Sequence, residues 1–446
     1  MIRHSADNPR GERERPHGRI LMLLENESYP EDTRVMLEAE SLHDAGYQMT
    51  VICPTGLSRR LYECVNGVHV YRYPKPWAVN GFVGYVWEYG YSLAMAFVVS
   101  VYVLMRRGFD VVHVHAPPDM QVLVACFYKL FGKRCVVDQH DLSPELYQAQ
   151  QRGAGNRHVR ATLEWFERLA CRTADRLIAT NETQRSVQIE RCEASPESCL
   201  VVRNGPSERF LKPVQPLPAL RERGRAIIGF VGLIGVQDGV DCLLRALACL
   251  RNDLGRADFL AVIVGNGPAL DDVKRLAVEM RLEQFVVFTG YLVGESLLRH
   301  IASFDVCVTP DPSNPYNDSC TTIKTMEYMA MAKPIVAFDL PENRVSAGDS
   351  ALYASGNSEG ELARLIAQLI DDPQQREQLG RRGRQRVMDT LRWAHQAKTL
   401  IQLYDELLRP QARAAGGIKR TDERSDAWEE SAAALETTGD SRKVLA

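Results

Sequence analysis

Asp318-Ser319-Cys320-Thr321-Thr322-Ile323-Lys324-Thr325-Met326-Glu327-Tyr328-Met329-Ala330-Met331-Ala332-Lys333-Pro334 runs straight into Ile335-Val336-Ala337-Phe338. The stretch reads as polar loop, helix, turn and strand. Ile323, Met326, Met329 and Ala330 recur at i, i+3, i+6 and i+7, the period of a helix with one apolar face. Thr321 or Ser319 is placed to cap its start. Ile335 to Phe338 is a short apolar run of the kind that forms a strand buried on both faces. Such units in series make a parallel sheet covered by helices.

Outward from this unit, the same alternation fills two stretches of the chain and predicts two such sheets. The first offers strands at Ile20 to Leu24, Met49 to Cys53, Val68 to Tyr71, Val111 to Val114, Cys135 to Asp138, Leu177 to Thr180 and Leu200 to Val202. The second offers Ala226 to Val231, Phe259 to Val264, Phe285 to Thr289, Val306 to Thr309 and Ile335 to Phe338. Apolar helix stripes lie between strands, as at Val35, Ala39 and Leu42 before the helix stop Gly46, and at Val240, Leu243, Leu244 and Leu247. Pro206, Pro213, Pro216 and Pro218 separate the two series, because proline cannot continue a sheet. The expected fold is α/β, with two Rossmann-like doubly wound parallel-sheet domains. Its bounds are a polar, disordered lead at 1–18, a first domain at 19–205, a linker at 206–224, a second domain at 225–390, a final helix at 391–409 carrying Trp393 and Tyr404, and a disordered tail at 410–446.

At 446 residues the chain is long for one core, and its 45% hydrophobic and 25% charged composition suits ordinary globular domains. A net charge of −3 argues against a nucleic-acid partner, which calls for a strong positive field. Its 11 cysteines contain no CxxC pair, which favours reduced thiols in the cytoplasm over disulfides or zinc. The polar start with Arg3, Arg10, Arg13 and Arg15 is no secretory signal. Phe82 to Met105 approaches the length of a membrane span, but Glu88 and Gly90 interrupt it. What remains from Tyr91 is expected to be a buried or interface-resting helix ending at Arg106 and Arg107.

Ligands of open doubly wound sheets bind beyond the carboxyl ends of the strands. In the first domain those ends supply His115-Ala116-Pro117-Pro118-Asp119 and Gln139-His140-Asp141, so two histidines reach one rim, while His113 reads as an alternating strand residue. In the second they supply Gly232-Leu233-Ile234-Gly235, Gly265-Asn266-Gly267, Gly290-Tyr291 and Pro310-Asp311, where glycine lets backbone N–H groups approach a phosphate. The amino end of the helix at Ile323, flanked by Ser319, Thr321 and Thr322, offers free N–H groups as a seat for a diphosphate. Lys324 would neutralise that diphosphate and Glu327 would accept hydrogen bonds from both hydroxyls of a ribose. The plainer reading of these two, at i and i+3, is an exposed ion pair.

Taken in order, these segments resemble the retaining glycosyltransferases of family 4, which have the GT-B fold of two Rossmann-like lobes facing a cleft. The resemblance spans roughly Gly18 to Leu408 and includes Asp32-Thr33-Arg34, Asp110 to His115, Asp138 to Asp141, Val202 to Gly205, Phe230 to Gly232, Val264 to Pro268, Phe288 to Tyr291 and Met326 to Ala330. It implies that the first lobe takes the acceptor and the second a UDP- or GDP-linked sugar, and that the final helix crosses back to the first lobe. It also implies that the reaction keeps anomeric configuration and needs no metal or other cofactor. His115, His140 and Asp141 then stand near the transferred sugar with Lys324, and Arg34, Asp119, His115 and His140 face the acceptor. The relatives imply a bacterial envelope or exopolysaccharide setting, with a glycan or lipid-linked acceptor and possible peripheral contact at the inner face of the cytoplasmic membrane.

Three positions depart from the family pattern. Ser319 stands where the first of two glutamates is usual, and Leu233 and Asp238 stand where an arginine and a lysine grip phosphate. Lys324 is the expected replacement cation, so Lys324→Ala is expected to abolish transfer and leave the fold intact. The alternatives are a sugar-nucleotide epimerase on the same fold and a catalytically silent nucleotide-sugar-binding protein, made plausible by Leu233 and Asp238. An NAD-linked dehydrogenase ranks last, because Gly265-Asn266-Gly267 lacks the third glycine.

Overall fold

The computed structural model describes residues 17–77, 82–221 and 226–409, so most of the expected lead and the expected tail lie outside the described residues. The first lobe runs β1 (Arg19–Leu23), α1 (Thr33–Asp44), β2 (Gln48–Pro54), β3 (Tyr62–Val65), β4 (Val68–Tyr73), α2 (Phe82–Arg106), β5 (Val111–Ala116), α3 (Val122–Lys129), β6 (Arg134–Gln139), α4 (Ser143–Gln150), α5 (Arg157–Thr173), β7 (Arg176–Ala179), α6 (Glu182–Glu190) and β8 (Cys199–Val201). A connection containing α7 (Pro218–Arg221) leads to the second lobe. That lobe runs β9 (Ala226–Val231), α8 (Val240–Asn252), β10 (Phe259–Val264), α9 (Leu270–Glu279), β11 (Val286–Gly290), α10 (Gly294–Ser303), β12 (Val306–Thr309), α11 (Ile323–Ala330), β13 (Ile335–Phe338), α12 (Pro341–Ala347), β14 (Ala351–Ala354), α13 (Glu359–Asp371) and α14 (Pro373–Arg386), before the final helix α15 (Trp393–Leu408).

The first sheet has the order β3-β4-β2-β1-β5-β6-β7-β8 and the second β11-β10-β9-β12-β13-β14. Every pairing is parallel except β3 with β4. Strand order therefore reverses between β1 and β5 in one sheet and between β9 and β12 in the other, which opens a crevice at each switch point. The α1 face of Val35, Ala39 and Leu42 packs against Met22, Met49 and Val51. In the second lobe Val240, Leu243 and Leu247 of α8 share a core with Ile366 and Leu369 of α13. Trp393, Ala397, Leu400, Leu403 and Tyr404 of α15 belong to the core of the first lobe. The helix is fastened there by Trp393 Nε1 to Ser41 Oγ at 2.8 Å and by Tyr47 and Asp405 at 2.6 Å.

Three elements differ from the reading of the sequence. β3 was not expected; it pairs with β4 across Asn66-Gly67, both at positive φ (50° and 84°), the backbone that a tight two-residue hairpin demands. β14 was not expected because Ala351-Leu352-Tyr353-Ala354 lacks β-branched residues. α2 is one continuous helix from Phe82, so Glu88 and Gly90 do not interrupt it. Glu88 is exposed and a good helix former, and a single glycine costs only about 1 kcal/mol in a helix. All 11 cysteines are free.

Candidate active site

The first switch point gathers a buried ionic cluster. Register in the sheet sets His115 of β5 beside Asp138 of β6. His140 Nε2, in the turn after β6, lies 2.9 Å from Asp138 Oδ2 and 3.1 Å from His115 Nδ1. Asp138 is fully buried, and Arg34 of α1 clamps both of its oxygens at 2.9 Å. Burial alone would raise that carboxyl, but Arg34, His140 and His115 outweigh it and hold Asp138 well below the ordinary range. Burial lowers the pKa of His115 against the pull of Asp138. Behind them His113 accepts or donates a 2.8 Å bond with Tyr404 of α15, and burial with the Asp138 charge raises Glu38. The ligand atoms of Glu38, His113, His115 and Asp138 lie within 4.8 Å of one another, as a metal site would require. Arg34, 3.1 Å from Glu38 and 2.9 Å from Asp138, already supplies the positive charge there, so a second cation would meet strong repulsion.

Two expected acceptor contacts take other roles. Arg34 spends its guanidinium on Asp138, the Val202 carbonyl and Asn204, and is buried. It orients Asp138 and does not face an acceptor. Asp119 is buried under hydrogen bonds from Ser143 and Gln139, a position inside the lobe. Of the two rim histidines, His140 keeps surface exposure, while His115 is 1% exposed with Nε2 unpartnered. Asp141 lies between the lobes, 3.6 Å from Cys320 Sγ, and burial raises its carboxyl.

In the second lobe α11 is buried from Lys324 to Ala330, on every side, and so has no polar face. Its cap residue is Thr322, whose hydroxyl meets Thr325 at 2.9 Å, and neither expected cap serves. Ser319 donates to the Tyr316 carbonyl, and Thr321 accepts from Asn181 of the first lobe at 2.9 Å and meets Glu342 at 3.3 Å. The Thr321 hydroxyl thus joins the lobes, and the Ser319 hydroxyl stays within its own. Lys324 and Glu327 are not an exposed pair. Lys324 Nζ sits 2.7 Å from Asp311, 3.9 Å from Asp238 and 4.8 Å over the Phe230 ring. Burial works to lower its pKa, yet the two carboxylates raise it. Glu327 is 8% exposed, and its carboxylate accepts no hydrogen bond from the described residues. Burial pushes it up to about 7, against the opposing charge of Arg209.

The expected phosphate-facing glycines are committed elsewhere. Gly232 N donates to the Val264 carbonyl and Gly265 N to that of Gly290. Gly235 N donates to Asp238 and Gly267 N to Asn266. A Cβ on Gly265 would run into the Gly232 carbonyl, so glycine there lets two loops stack. Asn266 and Tyr291 remain exposed.

Four residues at the site carry roles that the sequence did not reveal. Asp311 is the direct partner of Lys324, and one of its oxygens is buried without a partner. Arg209, from the proline-rich connection, acts on both Glu327 and Tyr291. Asn181 caps α6 and also donates 2.8 Å to the Ser319 carbonyl. Glu342 collects Thr183 and Arg203 of the first lobe at 3.0 and 3.1 Å. The signals were faint: an Asn before a helix start is visible, but its second bond across the lobes is not.

Residues 32–205 match the family described as Glycosyl transferase 4-like domain, and residues 225–372 match Glycosyl transferases group 1. The alpha-maltose-1-phosphate synthase of Mycolicibacterium smegmatis is 30% identical over 62% of this chain and 73% of its own length. The 2-deoxystreptamine glucosyltransferase of Streptomyces kanamyceticus is 27% identical over 76% of this chain and 89% of its own. Among solved structures, sucrose-phosphate synthase from Thermosynechococcus elongatus superposes with a TM-score of 0.72 at 17% identity, over 87% of this chain and 99% of that one. HepE of Anabaena, solved with UDP-glucose, superposes with a TM-score of 0.64 at 16% identity, over 88% and 99%.

Proposed function

The chain belongs to the glycosyltransferases of group 1 with a 4-like first domain and is a transferase of GT-B type, and from that premise we propose that it moves a hexosyl group, with retention, from a UDP- or GDP-linked donor to a glycan or lipid-linked acceptor. The diphosphate rests at the amino end of α11 beside Lys324, and the ribose hydroxyls donate to Glu327. The acceptor hydroxyl attacks the anomeric carbon from the face that the diphosphate leaves. Its oxygen forms the new bond as the bond to the phosphate oxygen breaks, and its proton passes to the departing phosphate. His140 and Asp141 orient hydroxyls, and His115, held by Asp138, backs His140. No metal or other cofactor takes part. Positioning and charge stabilisation supply most of the acceleration in such a step. The setting is envelope glycan or exopolysaccharide assembly in the cytoplasm, at the inner face of the membrane.

The observation that carries this reading is Glu327, a buried carboxylate with no donor from the described residues and a pKa pushed up to about 7. Its oxygens keep some solvent contact, so hydroxyls of a ligand can reach them, and a carboxylate this far desolvated gains from each such donor. Titration calorimetry with UDP and GDP tests the point. Glu327→Gln is expected to weaken nucleotide binding by about tenfold or more, the worth of hydrogen bonds to a charged acceptor. Unchanged affinity would refute the donor seat. Incubation with donor alone separates the epimerase alternative, which would yield an isomeric nucleotide-sugar.

A further inference from the structure

The helix α2 is turned the wrong way round for a helix in water. Its inner stripe is small or polar: Ser92, Ala96, Ser100 and Val103 are buried, with Ser92 donating to Glu25 at 3.1 Å and Ser100 meeting Tyr128 at 2.8 Å. Its outer stripe is large and apolar, with Val86 and Trp87 exposed, Val98 at 62%, Tyr102 at 46% and Met105 at 74%. The segment Val86–Arg106 is long and apolar enough to cross a membrane, yet its inner stripe is fastened to the first lobe and only 22% of its apolar window is buried. It therefore cannot leave the lobe to span a bilayer, and its outer face has no cover among the described residues.

The face continues onto α3. Phe97 meets Phe127 at 5.0 Å, Phe127 meets Phe131 at 5.1 Å, and Leu130 and Phe131 stand 82% and 63% exposed. At the amino end Trp77 stacks on Trp87 at 6.3 Å. At the carboxyl end stand Arg106 and Arg107, with Lys133 near the end of α3, and the only acid exposed on α2 is Glu88 at its start. Arg106 and Arg107 also border a groove of about 790 Å³ with Tyr62, Tyr71 and Tyr102. An apolar stripe with tryptophans at one end and cations at the other matches a helix lying in the headgroup boundary of an anionic bilayer.

We propose that the outer face of α2 and α3 docks the first lobe on an anionic lipid surface. The amino end of α2 follows the carboxyl end of β4, and Ser92 reaches Glu25 just beyond β1, so the amino end of the docked helix lies at the cleft rim and brings that rim alongside the membrane. Docking itself does not depend on the transferase reading, but the value of that orientation for a lipid-linked acceptor rests on it.

Co-sedimentation of the full chain with phosphatidylcholine vesicles, with and without phosphatidylglycerol, tests the proposal. The chain is expected to pellet with the anionic vesicles, and tryptophan emission to shift to the blue. Leu130→Asp/Phe131→Asp, at exposed positions, is expected to lower that binding by about tenfold with unchanged Tm. Val98→Asp/Met105→Asp is expected to do the same. A chain that stays in the supernatant overturns the proposal, and so does equal binding to neutral vesicles. Self-association abolished by these variants, without lipid binding, would make the face a contact between copies and also overturn it. Nucleotide affinity is expected to be unchanged in both variants; vesicle binding without any nucleotide binding would sink the transferase reading and leave docking intact.

Discussion

Asp238 puts a negative charge beside the proposed phosphate seat, with Asp311 close by and only Lys324 to balance the two. Burial raises Asp238 to about 7, against the pull of Lys324 and with the push of Asp311. A group raised this far is protonated below about pH 7 and ionised above it, and the ionised form repels a diphosphate. Through Asp238, donor binding is therefore favoured as pH falls from about 8 to about 6, while Glu327, whose charged form accepts from the ribose, pulls the other way, so the Asp238 part is read as the difference between the wild type and Asp238→Asn. Asp238→Asn should bind donor more tightly than the wild type by roughly tenfold at pH 8 and by little at pH 6, because one unit charge a few ångströms away is worth on the order of a kcal/mol or more. Calorimetry at three pH values checks it, and a variant with the slope of the wild type would sink it. The same pairing revises the expectation for Lys324→Ala. Removing the cation strands two carboxylates, at a cost of about 3–5 kcal/mol, so loss of transfer would come with loss of stability. Lys324→Ala/Asp311→Asn removes the direct partner as well, and is expected to recover much of the Tm while transfer stays lost.

At the scale of elements, α15 leaves the second lobe and packs into the core of the first. Tyr404 reaches through the core to His113, which stacks on His115 at 4.2 Å, so a terminal helix supports the buried side of the His140 cluster. Tyr404→Phe should cost about 1–3 kcal/mol by leaving a buried ring nitrogen unpaired, and Trp393→Ala about 3–5 kcal/mol by opening a cavity, both read as Tm. A Tyr404→Phe protein with unchanged Tm would remove this support. Periodicity made most elements legible: β9, β10, β12 and β13 begin and end where their apolar runs do. The β3 hairpin has a local signal in Asn66-Gly67, whereas β14 has none. At the site, the location of Glu327 and His140 was legible because strand and helix ends have known positions in such sheets. What Arg34, Gly232 and Gly265 do was not, nor that the Ser319 carbonyl accepts from Asn181, since those partners are distant in sequence and spacing carries no information about them.

For the whole molecule the buried carboxyls set the direction of pH dependence. Burial raises Glu25, Glu167, Asp238 and Glu327 each to about 7. A carboxyl raised in the folded state holds a proton that the unfolded chain has already released between about pH 4.5 and 7, so the native state binds more protons there and stability falls as pH rises through that window. Asp138 runs the other way: its depressed pKa contributes stability above its unfolded value and loses it only in strong acid. Asp138 does not titrate between about pH 5.5 and 8, whereas His113 and His115, whose pKa values burial lowers, oppose the four carboxyls below about pH 6.5, so Tm is expected to be highest near pH 6 and to decline towards pH 8. Saturating nucleotide acts on two of the four in opposite senses, since donors supplied to Glu327 favour its charged form while the diphosphate favours neutral Asp238, so a flattened decline is expected in Asp238→Asn. Scanning calorimetry of the full chain, with and without UDP or GDP, reads both effects. A Tm that climbs steadily to pH 8 would mean that these carboxyls find donors or water in solution that relieve their burial, and with that the case for Glu327 as a group waiting for a ribose would lose its physical basis.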